Sequence, residues 1–293
     1  LILAAIDIGS NAVRLLITEA ANYKDGSVDY TKLNLVRVPL RLGFEVFETG
    51  KIPDLKAEQL LETMKAYQSL MKIYGVEHFR ACATSAMRDA ENGSHLVQHI
   101  LQETGIPIEI ITGSEEANII YETHIAESLN NNQCYLYIDV GGGSTEVTLF
   151  SNNKMIFKES FDIGTIRLLN NKVTEAQWEH MKWYIKTYTK ALPKITAIGS
   201  GGNINKVFSL SKLKEGKALP LDLLKDYYKE LNSCSVEERM HIYKFRRDRA
   251  DVIVPALQIY TTLMRCANAS EILVPKIGLA DGLIKMLYLK HNK

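Results

Sequence analysis

The chain has 293 residues, more than one hydrophobic core usually serves, so two domains are expected. Its formal net charge of +1 argues against nucleic-acid or membrane binding through bulk charge, and any polyanion must then meet a local basic patch. Cys82, Cys134, Cys234 and Cys266 stand far apart with no CxxC pair, which points to reduced thiols in a cytoplasmic protein and away from zinc ligation or a disulfide framework.

LILAAID, residues 1–7, is a near-continuous apolar run of the kind an interior strand shows. It is short, lacks a basic leader and meets Asp7 almost at once, so it reads as a buried strand and not a signal peptide. No apolar run approaches a membrane span. After the turn GSNA, VRLLITEA resumes as a strand. Helical spacing follows at Leu60, Met64, Tyr67, Met71 and Tyr74, with Gly75 as a C-cap. FRACAT is a strand, SHLVQHILQETG a helix with Ser94 as N-cap and Gly105 behind it, PIEIIT a strand, and SEEANIIYETHIAESL a helix.

The polar stretch Asn130–Gln133 breaks the periodicity and marks a junction. Beyond it the grammar restarts with strand YLYIDV, a glycine turn and strand TEVTLF. Helices dominate the remainder, two of them opened by the capping-box pairs Thr174/Gln177 and Ser235/Glu238. KITAIGSGGNI supplies a further glycine-rich turn. The expected domains are 1–125 and 126–278, with a terminal helix of about 279–293 packing back on the first.

Asp7-Ile8-Gly9-Ser10 and Asp139-Val140-Gly141-Gly142 are two versions of one strand–turn–strand unit. Three glycines, Gly141 to Gly143, let backbone amides approach an anion closely, Ser144 and Thr145 add donors, and Asp139 could bind Mg2+. A glycine-rich hairpin with no ligand is the plainer alternative, and the second copy at Asp7 favours phosphate. A P-loop is excluded because no Lys follows the glycines, and a dinucleotide turn because no helix opens there. The strand–turn–strand pattern is the phosphate hairpin of the actin-like superfold shared by sugar and acetate kinases.

Ser114 as N-cap would place Glu115 and Glu116 in the first helical turn, one serving the cap and the other free to act as a general base on water. Spacing alone does not choose between them. Arg88 in ATSAMRDA is either a phosphate ligand or a surface arginine. Lys244, Arg246, Arg247 and Arg249 form a basic run that suits an extended polyanion.

AAIDIGSNAVRLLI, ATSAMRDA, ITGSEEANIIYET, YIDVGGGSTEVTLF, RADVIVPALQIY and IGLADGLI together resemble the ordered motifs of the exopolyphosphatase/guanosine pentaphosphate phosphohydrolase (Ppx/GppA) family. The resemblance implies an α/β fold of two actin-like (ribonuclease H-like) domains facing an interdomain cleft, and Mg2+-dependent release of terminal phosphate from inorganic polyphosphate or guanosine pentaphosphate. It selects Glu116 as the base, Arg88 on the terminal phosphate, and Asp139, Glu146 and Asp7 toward metal and water. Gly9, Ser10, Asn11 and the run Gly141, Gly142, Gly143, Ser144 and Thr145 would hold phosphate oxygens, and Arg246, Arg247 and Arg249 the distal polyanion. A homodimer is the implied assembly of a short family member.

Departures from the family pattern are Ala12-Val13 after Asn11, Asn203 where a Thr usually closes the turn, and Asp248 where a Gly commonly stands. Two alternatives stay open: a small-molecule kinase of the same superfold, its purine lined by the GSGGN turn, and a non-catalytic sensor of guanosine alarmones.

Overall fold

A computed structural model describes residues 1–23, 26–119, 133–152, 154–275 and 278–292. The chain divides into two compact units, Leu1–His124 with Gly278–Lys293, and Ile125–Ile277.

The first unit opens with β1 (Ile2–Ile8), β2 (Val13–Asn22) and β3 (Val28–Val38), an antiparallel meander. α1 (Gly43–Thr49) and α2 (Asp54–Ile73) lead to β4 (His78–Ala83), which lies parallel to β1. α3 (Ser85–Asp89) and α4 (Gly93–Thr104) precede β5 (Ile108–Ile110), giving the sheet order β3-β2-β1-β4-β5. β1 reads as an unbroken apolar run because it is central, covered on both faces. β3 is an edge strand whose burial alternates or lapses. The predicted stripe of α2 is buried at Leu60, Met64, Tyr67 and Met71, and the Tyr67 hydroxyl donates to the Val13 carbonyl at 3.1 Å, tying helix to sheet.

α4 begins one residue earlier than Ser94, with Asn92 at the N-cap position and Ser94 inside the first turn. The Asn92 side chain makes no cap bond. Its amide instead clamps the backbone of Ile52, accepting from the Ile52 amide at 3.0 Å and donating to the Ile52 carbonyl at 2.8 Å. A helix α5 covers 113–119; the rest of the helix expected there, and the junction Asn130–Asn132, lie outside the described residues.

The second unit repeats the plan. β6 (Cys134–Val140), β7 (Thr145–Ser151) and β8 (Lys154–Phe161) form the meander, followed by α6 (Thr165–Leu169), α7 (Glu175–Thr189) and the parallel strand β9 (Ile195–Ser200). Then come α8 (Gly202–Ser211), β10 (Leu219–Pro220), α9 (Leu221–Ser233), α10 (Val236–Ile242), α11 (Arg247–Ala250), α12 (Ile253–Cys266) and β11 (Glu271–Leu273). The sheet order is β10-β11-β9-β6-β7-β8. Both predicted capping boxes, Thr174/Gln177 and Ser235/Glu238, are formed. A three-strand meander extended by parallel strands, twice over, is the actin-like α/β arrangement. Among the described residues, no helix is long and apolar enough to cross a membrane.

α13 (Leu279–His291) returns to pack on β1, β2 and β4 of the first unit. The His291 ring stacks on His78 with centroids 3.6 Å and planes 7° apart. Desolvation, then the neighbouring His78 and Lys290, hold His291 below the ordinary imidazole pKa. The folded chain therefore binds this proton less readily than the unfolded one. Its contribution to stability is complete above about pH 6.5 and is lost as pH falls through the lowered value. A melting midpoint that declines between about pH 7.5 and 5.5 is expected, with part of the decline missing in His291→Ala; identical pH profiles for the two proteins would refute the link.

Candidate active site

The hairpins between the first two strands of each unit are built to the same register. Asp7 sits opposite Arg14 across β1 and β2, and Asp139 sits opposite Glu146 across β6 and β7. Gly9 donates its amide to the Ala12 carbonyl at 3.1 Å, and Gly141 donates to the Ser144 carbonyl at 2.9 Å. These two amides close the hairpins, so neither is available to phosphate as expected from sequence.

The tip carbonyls are also tied down. In the second unit the amides of Thr165 and Ile166, opening α6, donate to the carbonyls of Gly141 and Gly142 at 3.0 and 2.8 Å. Arg167 donates Nε to the Gly143 carbonyl at 2.7 Å. Because a trans peptide points its C=O and N–H in opposite directions, these bonds aim the amides of Gly142, Gly143 and Ser144 away from α6. In the first unit the Gly43 and Arg41 amides hold the Ser10 and Asn11 carbonyls at 2.8 and 3.2 Å, which turns the Asn11 and Ala12 amides the other way. Gly164 lets α6 come this close: a Cβ there would lie 2.3 Å from the Gly142 carbonyl oxygen.

The hydroxyls of the turn are used internally, contrary to the expected donor role. Ser144 donates to Glu146 Oε1 at 2.7 Å, and Thr145 donates to the Ile163 carbonyl. Glu146 is 1% exposed, and Ser160 also donates to it at 2.9 Å.

The two acids of the hairpins differ in their ladder partners. Asp7 is neutralised by Arg14, whose Nη1 lies 2.6 Å from its carboxylate. Asp139 faces another acid, Glu146, on the same face of the sheet. Paired like charges are unfavourable, whereas two carboxylates are the usual protein share of an Mg2+ site, the rest coming from phosphate and water. Oxygen-only donors at Asp139 and Glu146 therefore fit the ion, and Asp7 with its arginine does not. Among the described residues no group of three or more His, Cys, Asp or Glu gathers as a metal site.

Around Asp139 the GSGGN turn closes in. Gly201 adopts φ +103, and a Cβ there would lie 3.1 Å from Asp139 Oδ1, so both backbone conformation and space favour glycine. Tyr260 donates its hydroxyl to the Ser200 carbonyl. Burial, then the Asp139 charge, push the Tyr260 and Tyr137 phenols well above their ordinary pKa.

In the first unit, Ser10 Oγ and Ser85 Oγ share a hydrogen bond of 2.8 Å, joining the hairpin tip to α3. Arg88, in the last turn of α3, donates Nη1 to the Ile111 carbonyl at 3.0 Å and lies 3.7 Å from Asp89. Thr112, not Ser114, caps α5. Its hydroxyl accepts from the Glu115 amide at 3.1 Å, and the Glu115 carboxylate accepts from the Thr112 amide at 2.8 Å. That capping box commits Glu115 and leaves Glu116 the member of the pair outside the cap. Glu116 and Asp7 both act on Cys82, whose thiol is pushed up to about 12 by burial first, Arg80 opposing and the Glu109, Asp7 and Glu116 charges adding.

The basic run divides. Arg249 turns inward, Nη1 donating to Asn203 Oδ1 at 2.6 Å, so the atypical Asn203 has a bonding role. Arg247 lies 3.7 Å from Glu237, and both are exposed. Arg246 and Arg249 join Lys206 and Lys244 around a cavity of about 340 Å³ with Phe245. Arg247 is not part of it. Lys206 on α8 and Arg167 on α6 were missed from sequence: each is distant from the motif it serves, and only DIGT before Arg167, an acid then Gly-Thr, hinted at a second turn.

The folds and the twinned hairpins define an actin-like α/β protein. The chain matches the model of the Ppx/GppA phosphatase family over residues 22–291 and belongs to that family. It is 28% identical over 248 residues to a bifunctional 3-dehydroquinate synthase/phosphatase of Fusobacterium nucleatum, covering 82% of this chain and 35% of the relative. To exopolyphosphatase 1 of Mycobacterium tuberculosis it is 29% identical over 166 residues, 57% and 47% of the two chains. A guanosine-5'-triphosphate,3'-diphosphate pyrophosphatase of Aeromonas salmonicida is 22% identical over 295 residues, 96% of this chain and 58% of the relative. The chain thus spans 35% to 58% of the length of these three relatives. Among solved structures, a Ppx/GppA family member of Aquifex aeolicus superposes with a TM-score of 0.78 at 26% identity, covering 100% of this chain and 99% of the other.

Gly164→Ala should lower stability by about 1–3 kcal/mol in chemical denaturation, because the added methyl meets backbone that cannot yield. Arg167→Met keeps the aliphatic stem and frees the Gly143 carbonyl. It should leave the melting transition nearly unchanged and speed hydrogen exchange of the Gly142–Ser144 amides about tenfold or more; unchanged exchange would mean that the turn holds itself.

Proposed function

We propose that this chain is an Mg2+-dependent exopolyphosphatase, releasing terminal orthophosphate from inorganic polyphosphate by attack of water. The observation that carries it is the glycine turn whose carbonyls are bonded back to α6 while its amides point away, beside the Asp139/Glu146 pair. Such pre-aimed donors neutralise charge without reorganising during the reaction, and phosphoryl transfer asks for little else.

In this proposal Glu116 orients the attacking water and accepts its proton. The water oxygen bonds to the terminal phosphorus, the bridging P–O bond breaks, and the shortened polyphosphate leaves with the bridging oxygen. Arg88 holds terminal phosphate oxygens through its guanidinium. The amides of Gly142, Gly143 and Ser144 bind the remaining oxygens. Asp139 and Glu146 would hold Mg2+, which supplies charge neutralisation at the phosphate. Lys206, Lys244, Arg246 and Arg249 meet the more distant phosphates.

A guanosine pentaphosphate substrate is the second reading, supported by the Aeromonas relative that matches along 96% of this chain. A kinase with a purine on the GSGGN turn has less support, since the Arg249 guanidinium covers Gly202, 2.8 Å from where a Cβ would stand. A sensor without chemistry would have no use for the carboxylates Glu116, Asp139 and Glu146.

Phosphate release should be measured from polyphosphates of several lengths and from guanosine pentaphosphate, with and without Mg2+. Glu116→Gln should lose about hundredfold or more in kcat at unchanged stability; full activity in that variant would remove Glu116 from the mechanism. Lys206→Ala with Lys244→Ala should raise KM severalfold for long polyphosphate while sparing the shortest chains. An equal rise at every length would remove the distal role.

A further inference from the structure

A second cavity of the Ile125–Ile277 unit shares no residue with either hairpin or with the basic cavity beside Gly202. It has about 460 Å³ where α7, α9 and α12 converge, a size that suits a small ligand. Its charge is one-sided. Lys182 from α7, Lys225 and Lys229 from α9 and Arg265 from α12 line it against a single carboxylate, Glu175.

Lys225 and Lys229 are four residues apart on one helix, where like charges share a face and repel. Lys182 lies 2.7 Å from Glu179 and 3.6 Å from Glu175, and Lys225 lies 2.9 Å from Asp222, so these two are partly neutralised within their own helices. Lys229 and Arg265 have no ion-pair partner among the described residues. Arg265 spends Nε on the Thr261 carbonyl at 3.2 Å, which holds the guanidinium along α12. Gln258 and the largely buried Thr262 add uncharged donors to the same wall. In a chain of net charge +1, cations drawn from three helices to one concavity call for a multiply charged anion, and a guanidinium favours the fork geometry of phosphate.

We propose that this cavity is a second anion-binding site, separate from the hairpin site, that takes a small di- or triphosphate group, either free or carried by a nucleoside.

The chain's two tryptophans provide the readout. Trp178 lines the cavity, and Trp183 is 61% exposed on the same helix. Trp183→Phe leaves Trp178 as the single emitter. That protein, with EDTA present to suppress hydrolysis, is titrated separately with inorganic triphosphate and with GDP. A saturable change in emission is expected with at least one of them. Response to triphosphate alone identifies the free anion as the ligand, and response to GDP alone the nucleotide. The response should persist when Asp139→Asn is added. Lys229→Glu with Arg265→Glu should weaken it about tenfold or more at an unchanged melting transition. No saturable change with either anion, a response that survives the charge reversal, or a response abolished by Asp139→Asn would each overturn the proposal.

Discussion

The planar peptide bonds of the Gly141–Gly143 turn, and the donors that hold their carbonyls, set the rest of the candidate site. A flexible glycine loop would cost conformational entropy each time it gathered around an anion. Here three successive carbonyls are already bonded, two by the first amides of α6 and one by Arg167. The neighbouring amides then have one direction in which to point. Gly164 is part of the same constraint, because any side chain there would drive α6 off the turn. The first unit reaches the same end by other means, with the Gly43 amide at the start of α1 holding the Ser10 carbonyl and the Arg41 amide just before it holding that of Asn11.

Charge separates the two hairpins that geometry makes alike. A single ladder position decides it, arginine at 14 and glutamate at 146. The first pair is self-neutralising, Arg14 and Asp7 forming an ion pair of 2.6 Å. The second pair accumulates negative charge at a position where Ser144 and Ser160 already donate to the buried Glu146. Those hydroxyls fix the orientation of the Glu146 carboxyl beside Asp139, and a pair of oxygen donors is what a hard cation favours. The frame is common to both units, and this ladder position gives each its own electrostatic character.

Glu115 and Glu116 show how local physics assigns roles that look equivalent on paper. An N3 carboxylate that receives the Thr112 amide is fixed by helix capping and stabilises the helix start. The next residue is left with a different environment, and its charge acts on Cys82 together with that of Asp7. Arg88 reaches the same loop through the Ile111 carbonyl. Ser85, at the start of the helix that carries Arg88, bonds Ser10, so α3 ties the hairpin tip to the loop before α5.

The sequence alone determined the central strands, the main helical stripe and the paired acid-glycine hairpins, because strand burial, helical stripes and capping boxes are local patterns with fixed periods, which edge strands such as β3 and β8, half-exposed and irregular in burial, lack. Thr174/Gln177, Ser235/Glu238 and the α2 stripe are all legible for that reason. It also named the family. Tertiary structure alone decided which donors remain usable. Ser144, Thr145, Gly9 and Gly141 have the right chemistry for phosphate, yet each spends a donor on a neighbour that no spacing rule reveals. Arg167, Lys206 and Arg249 come to the turns from separate helices, and Arg247, inside the same basic run, leaves for Glu237. A hydrogen bond has one donor and a direction. Which acceptor receives it depends on packing between segments far apart in the chain, and that information is not carried by any one of them.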